Sequence, residues 1–171
     1  MKAQAVSILL TAGFLLSVPA PPVHGEELDR NLRAAFSEIF EEPDVLEKVS
    51  GTNGPVIYRV LKSGEVAGYG VVTIPVGMSG PFRTLVAATP ECSVKAVKIL
   101  NYPHRRGRGV RKRSFLKQFE GARHGKPLEL GEQIDGVSGA TVSAEALTRS
   151  VRRALLLSEK YCRSDTPVSE K

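Results

Sequence analysis

Residues 135–143 read DGVSGATVS, and the chain runs on without a break into AEALTRSVRRALLLSEKY at 144–161. The first string has the composition of a tight turn, the second the spacing of a helix. Gly136 and Gly139 offer positive φ and close backbone approach, while Ser138, Thr141 and Ser143 gather three hydroxyls where the helix begins. The amides of a first helical turn lack intrahelical acceptors and the helix dipole leaves that end positive, so the junction suits a phosphate or another anion. Ser143 is expected to cap the helix, with Glu145 in its first turn. A capped helix start with no ligand would satisfy the same spacing.

Working outward from this junction, Leu147, Val151, Ala154 and Leu155 form one apolar stripe, while Arg149, Arg152, Arg153 and Lys160 fall elsewhere. Upstream, Val56–Leu61, Val66–Val76, Leu85–Thr89 and Val94–Leu100 are short, rich in Val and Ile, and separated by the turn-like segments KSGE, GMSGP and PEC. Such short connections predict antiparallel pairing. Near the other end, Leu28, Leu32, Ala35, Phe36, Ile39 and Phe40 recur at three- and four-residue steps, predicting a helix over Glu27–Glu42 that Pro43 stops. Asp44 is then expected to cap a shorter helical piece through Val49, before GTNGP turns the chain. The fold class that results is α+β: a twisted antiparallel sheet of about four strands, one face covered by the N- and C-terminal helices. A chain of 171 residues suffices for one such domain.

The string DGVSGAT resembles the attachment signature of the FMN-binding domain family, which includes the flavin-carrying subunits of sodium-translocating NADH:quinone reductase and of the Rnf-type electron-transport complex. In that family the last Thr is esterified by the phosphate of FMN. The resemblance implies that Thr141 carries FMN, with Asp135, Ser138, Gly139 and Ala140 matching the rest of the motif. It further implies a flavin transferase that draws FMN from FAD with magnesium, so that Thr141 is an acceptor and no catalytic nucleophile of this chain. The family's order of parts extends back to about Gly68: a strand with Gly68 and Tyr69, a hairpin, a Gly-rich loop, and a helix ending in Gln118 and Phe119. One part departs from the pattern. The loop that commonly reads ETPGLG stands here as HRRGRG, which keeps Gly107 and Gly109 as cofactor-binding candidates and replaces the acid by His104, Arg105, Arg106 and Arg108. Guanidinium groups near the flavin ring would favour its reduced form, whereas side chains turned to solvent would serve only to dock a partner.

By this resemblance the chain is an electron-transfer flavoprotein or redox-complex subunit, not a stand-alone enzyme, and its partners are redox proteins at a membrane. Two other readings remain open: an FMN-dependent sensory or regulatory module, and a flavin-free secreted binding domain. The start of the chain bears on location. Lys2, an apolar run from Ala3 to Val18, a proline break and the small residues Val23 and Gly25 read as an export signal cleaved after Gly25, the alternative being an uncleaved membrane anchor, for which the run is short. The expected organisation is therefore a signal peptide at 1–25, an FMN-binding domain at 26–162 and a flexible tail at 163–171, on the periplasmic or extracytoplasmic side of a membrane.

Between Lys95 and Lys126 the chain carries eleven Lys and Arg against the single acid Glu120, a solvated face or a docking surface for an acidic partner or an anionic membrane. Export argues against nucleic acid as a partner. Cys92 and Cys162 could pair in an oxidising compartment, though spacing does not show that they meet. No HExxH, CxxC or GxSxG string is present, so neither a metal site nor a serine nucleophile is expected.

Overall fold

A computed structural model of the chain describes residues 30–51 and 54–165. The expected signal segment and the first residues of the N-terminal helix lie outside the described residues. Helix α1 (Arg30–Phe40) comes first, and Glu41 and Glu42, both with positive φ, turn the chain back. Strands β1 (Val45–Ser50), β2 (Val56–Lys62) and β3 (Glu65–Thr73) follow, then the two-residue strands β4 (Val76–Gly77) and β5 (Gly80–Pro81). Strands β6 (Arg83–Ala88) and β7 (Val94–Asn101) lead to a 3-10 turn at Arg108–Arg111, the short helix α2 (Arg113–Lys117) and the long helix α3 (Thr141–Asp165). The main sheet has five antiparallel strands in the order β1-β2-β3-β6-β7, and β4 with β5 makes a separate hairpin.

The α+β class is as expected, with differences of detail. The segment 45–49, expected as a helical piece, is the edge strand β1, paired with β2 from Val45 opposite Leu61 onward. Local capping by Asp44 loses to tertiary pairing: its carboxylate accepts the Ser63 amide and its own amide donates to the Leu61 carbonyl at 2.9 Å. The expected strand 66–76 ends at Thr73, because Pro75 breaks the ladder before the hairpin begins. Helix α3 runs to Asp165, so Cys162 lies within it and residues 163–165, placed by the sequence in the tail, are helical.

The two outer helices cover opposite faces of the sheet, where the sequence pointed to one covered face. Alternation along the strands assigns the sides. Tyr58, Val60, Val72, Leu85 and Ala87 pack with Leu32, Phe36 and Phe40 of α1. Their neighbours Ile57, Val71, Val86 and Val97 pack with Leu147, Val151, Ala154 and Leu155 of α3. Two glycines in β3 make the first arrangement possible. A Cβ on Gly70 would lie 2.3 Å from Phe36 Cε1, and one on Gly68 would lie 2.8 Å from Phe40 Cε1. The Phe rings fill the space that side chains at 68 and 70 would take. The β2–β3 connection is a two-residue turn, Ser63 and Gly64, both with positive φ as a right-twisted hairpin prefers.

The far end of α3 is held twice. Cys92, at the tip of the β6–β7 hairpin, and Cys162 form a disulfide with Cα atoms 5.8 Å apart across 70 residues of chain. Three residues on, the Asp165 carboxylate accepts from Arg59 Nε at 2.8 Å, from a second Arg59 nitrogen at 3.1 Å and from the buried Tyr69 hydroxyl. The Tyr69 bond first, then Arg59, hold the Asp165 carboxyl below its usual range, while burial and then Asp165 push the Tyr69 hydroxyl up, so it stays a donor. An acid at a helix C-terminus opposes the dipole, and these partners offset that cost.

Closing a loop of this length is worth about 4 kcal/mol on chain entropy, so the Cys92→Ala/Cys162→Ala pair should unfold in urea with about 2–4 kcal/mol less stability and an unaltered far-ultraviolet spectrum. Asp165→Ala should lose about 1–3 kcal/mol at neutral pH. Because the folded chain binds the Asp165 proton only at lower pH than the unfolded chain, this contribution is complete above the ordinary carboxylate range. The gap between wild type and variant should therefore close as pH falls below about 4; denaturant midpoints measured across that range check it.

Candidate functional site

Three segments distant in sequence meet at the N-terminus of α3: the β4–β5 hairpin, the loop from Tyr102 to Gly109, and the turn from Asp135 to Ala140. Their meeting point is Ser143, which is fully buried. A Cβ on Gly77 would lie 2.5 Å from Ser143 Oγ, and one on Gly107 would lie 2.5 Å from the same atom and 2.3 Å from the Tyr102 hydroxyl. The Tyr102 hydroxyl donates to the Arg106 carbonyl at 2.8 Å. Having one proton, it must accept from Ser143 Oγ at 3.1 Å. Ser143 is therefore a packed hydrogen-bonding post inside the first turn of α3, not the cap the sequence suggested. The helix opens two residues earlier, at Thr141, and the Ala140 carbonyl accepts the Ala144 amide at 2.8 Å.

The turn before the helix is tied at both ends. Gln118 receives the Asp135 amide on its side-chain oxygen at 2.7 Å, fixing where the turn begins. Ala140 donates to the Val137 carbonyl at 2.9 Å, closing a four-residue turn whose third member, Gly139, has φ 73. Gly136 does not need positive φ, contrary to the sequence reading. Around Gly136 and Gly139 nothing lies within 4 Å of where a Cβ would stand. Gly109 is different: its Cβ would fall 2.4 Å from Val137 Cγ1, so this glycine lets the loop lie against the turn. Gly107, at φ 78, does the same against Ser143.

Asp135, Ser138, Gly139 and Thr141 are exposed, and Ala140 is buried beneath them. Thr141 is thus an open hydroxyl on the first helical residue, beside amides that have no intrahelical acceptor. An open backbone at two glycines, a free hydroxyl and a positive helix end fit a phosphate with a polar chain attached to it. Gly107 and Gly109 sit one layer below, as spacers. Arg105, Arg106 and Arg108 are exposed. Water and salt screen charges so placed.

The residues the sequence reading missed are those that position this surface: Gly77, Tyr102, and Ser143 in its buried role. Gln118 stood out only as part of a helix end; its spacing gave no sign that it would reach 17 residues forward to Asp135.

The segment that builds this junction points to a flavin-binding protein. Residues 77–156 match the family model of the FMN-binding domain, a match that indicates FMN as the cofactor. No curated protein matches the chain. The matched segment opens at Gly77, the residue packed on Ser143, yet the pairing of β3 with β6 brings the preceding strands into the same sheet.

The packing separates the glycines by experiment. Gly107→Ala should destabilise the fold by about 1–3 kcal/mol through positive φ and overlap with Tyr102 and Ser143. Gly139→Ala should cost about 1 kcal/mol from φ alone, and Gly136→Ala should stay within about 0.5 kcal/mol of wild type. Equilibrium denaturation of the three variants checks the order.

Proposed function

We propose that the protein is an exported flavoprotein that carries FMN covalently through the Thr141 hydroxyl and passes electrons between redox partners at a membrane. The observation that carries this reading is the placement of Thr141: exposed, first in α3, and reached through a turn pinned by Gln118, all within the FMN-binding domain match. A flavin transferase could approach that hydroxyl without opening the fold. In the transfer, Thr141 Oγ forms a bond to the FMN phosphorus of FAD as the phosphoanhydride bond breaks. The hydroxyl proton passes to a base of the transferase, and AMP departs, its charge met by magnesium.

The chain's own residues would then hold and expose the cofactor. The first-turn amides of α3 would hold the phosphate, and the open space at Gly136 and Gly139 would admit its polar chain. Asp135, exposed at the start of the turn, is the contact offered to the transferase. Flavin supplies the electron chemistry, and the protein supplies placement. The Cys92–Cys162 disulfide supports an oxidising compartment, as does the export signal read at 1–25. A covalent link keeps a scarce cofactor from being lost where the cell cannot replenish it.

Protein recovered after co-expression with a flavin transferase and export should stay yellow when denatured, with a mass increased by one FMN less one water. Thr141→Ala should abolish the adduct and change stability by no more than about 1 kcal/mol. Wild-type protein that releases all its flavin on denaturation, or an alanine variant that keeps the adduct, would overturn the assignment.

A further inference from the structure

We propose that the hairpin 74–81 and the loop 104–108 together form a face that seats on an anionic lipid bilayer. Six large apolar side chains are exposed among the described residues, and three of them, Ile74, Val76 and Met78, lie on this one hairpin at 64–67% exposure. Alternation explains why they share a side. Gly77 turns inward onto Ser143 and Phe82, so its neighbours at 76 and 78 point outward, and Ile74, two residues earlier, follows them. No amphipathic element of the described chain covers them.

A cationic loop is tied to this hairpin. His104 Nε2 bonds the Pro81 carbonyl at 3.0 Å and its ring lies against Gly80, which fixes the loop to the hairpin. The next residues, Arg105 and Arg106, and then Arg108, are exposed. Between Glu91 and Glu120 the chain has no acid at all, and the hairpin has none. Two other bases of this segment are differently employed: Lys98 pairs with Glu38 of α1, and Lys95 stands 5.0 Å over the Phe40 ring.

The composition of the face selects its partner. Protein interfaces concentrate much of their energy in aromatic anchors that fill pockets. Here the exposed apolar groups of the hairpin are aliphatic and include no aromatic, since Phe82 is buried. An exposed apolar hairpin tied to a cationic loop gains from a bilayer surface, which accepts any shape and adds attraction to anionic headgroups. Thr141 is two residues from Ser143, on which the hairpin rests, so seating the hairpin would hold the attachment point beside the membrane. The inference rests on the membrane location proposed above and on nothing about the flavin.

The chain contains no Trp, so Met78→Trp is a clean reporter. It reads the hairpin itself, whatever the first residues of the chain do. With vesicles of phosphatidylcholine and phosphatidylglycerol, the emission should move to the blue and be quenched by brominated acyl chains. Phosphatidylcholine alone should do neither. Adding Arg105→Gln, Arg106→Gln and Arg108→Gln should raise the anionic lipid needed on the order of a hundredfold, and about 1 M salt should mimic them by shortening the screening length to about 3 Å. Lys95→Gln with Lys98→Gln should leave the response intact, and a Leu156→Trp reporter on the exposed side of α3 should not shift. A Met78→Trp emission unmoved by anionic vesicles would overturn the proposal and leave the hairpin to a protein partner. An equal shift at Leu156→Trp, or no loss in the triple Gln variant, would overturn it as well. The measurement runs on protein with or without flavin, so its failure and the failure of the covalent assignment are distinguishable.

Discussion

Everything at the N-terminus of α3 depends on the absence of space around one hydroxyl. Ser143 is enclosed by Gly77 from the hairpin, Gly107 from the basic loop and Tyr102 beneath it, and neither glycine could carry a methyl group without striking a neighbour. Packing of this closeness transmits position: a shift of the hairpin or the loop moves Ser143, and with it the turn that ends at Thr141. The exposed site is thus shaped by residues that no solvent touches. Its surface residues are free to vary in contact with a ligand because the buried ones fix where they stand.

The sheet supports this junction by being buried on both sides. An antiparallel sheet can leave one face wet, and here α1 takes one face and α3 the other. The division of labour follows. The α1 side is built from large aromatic side chains closing over the β3 glycines, and it has no part in the site. The α3 side carries hydroxyls into the interior, each with a partner: Thr73 bonds both Thr84 at 2.7 Å and Ser150 at 2.6 Å, and Thr148 bonds back to the Ala144 carbonyl at 2.9 Å. Of these, the Thr73–Ser150 bond joins α3 to the sheet and gives the helix a register on it as well as adhesion.

Much of this was legible in the sequence because periodicity survives folding. The stripes of α1 and α3 and the Val-rich runs of β2, β3, β6 and β7 stand where their spacing put them, and the turn at 135–140 stands before the long helix. What could not be read was decided at a distance. Residues 45–50 alternate poorly and sit behind a plausible cap, and only the offer of an open edge on β2 makes them a strand. Ser143 has the composition of a cap but the environment of a core residue, a difference created by glycines 66 and 36 positions away. The end of α3 looked polar and loose because an isolated acid at a helix terminus is unfavourable, and the partners that reverse this, Arg59 and Tyr69, belong to the sheet.

Helix α3 has 25 residues, with the candidate site at one end and a crosslink near the other. Helices ordinarily open by fraying, and a terminal helix would be the first element to peel away and expose its backbone to exchange or to a protease. Fastened at Cys162 and Asp165, this one has no loose end from which to start. Opening at Thr141 must then begin at the amino side, against the enclosed Ser143, or wait for the whole domain to unfold. The lifetime of the site is therefore tied to that of the entire fold, so that wear at the surface and collapse of the interior become a single event.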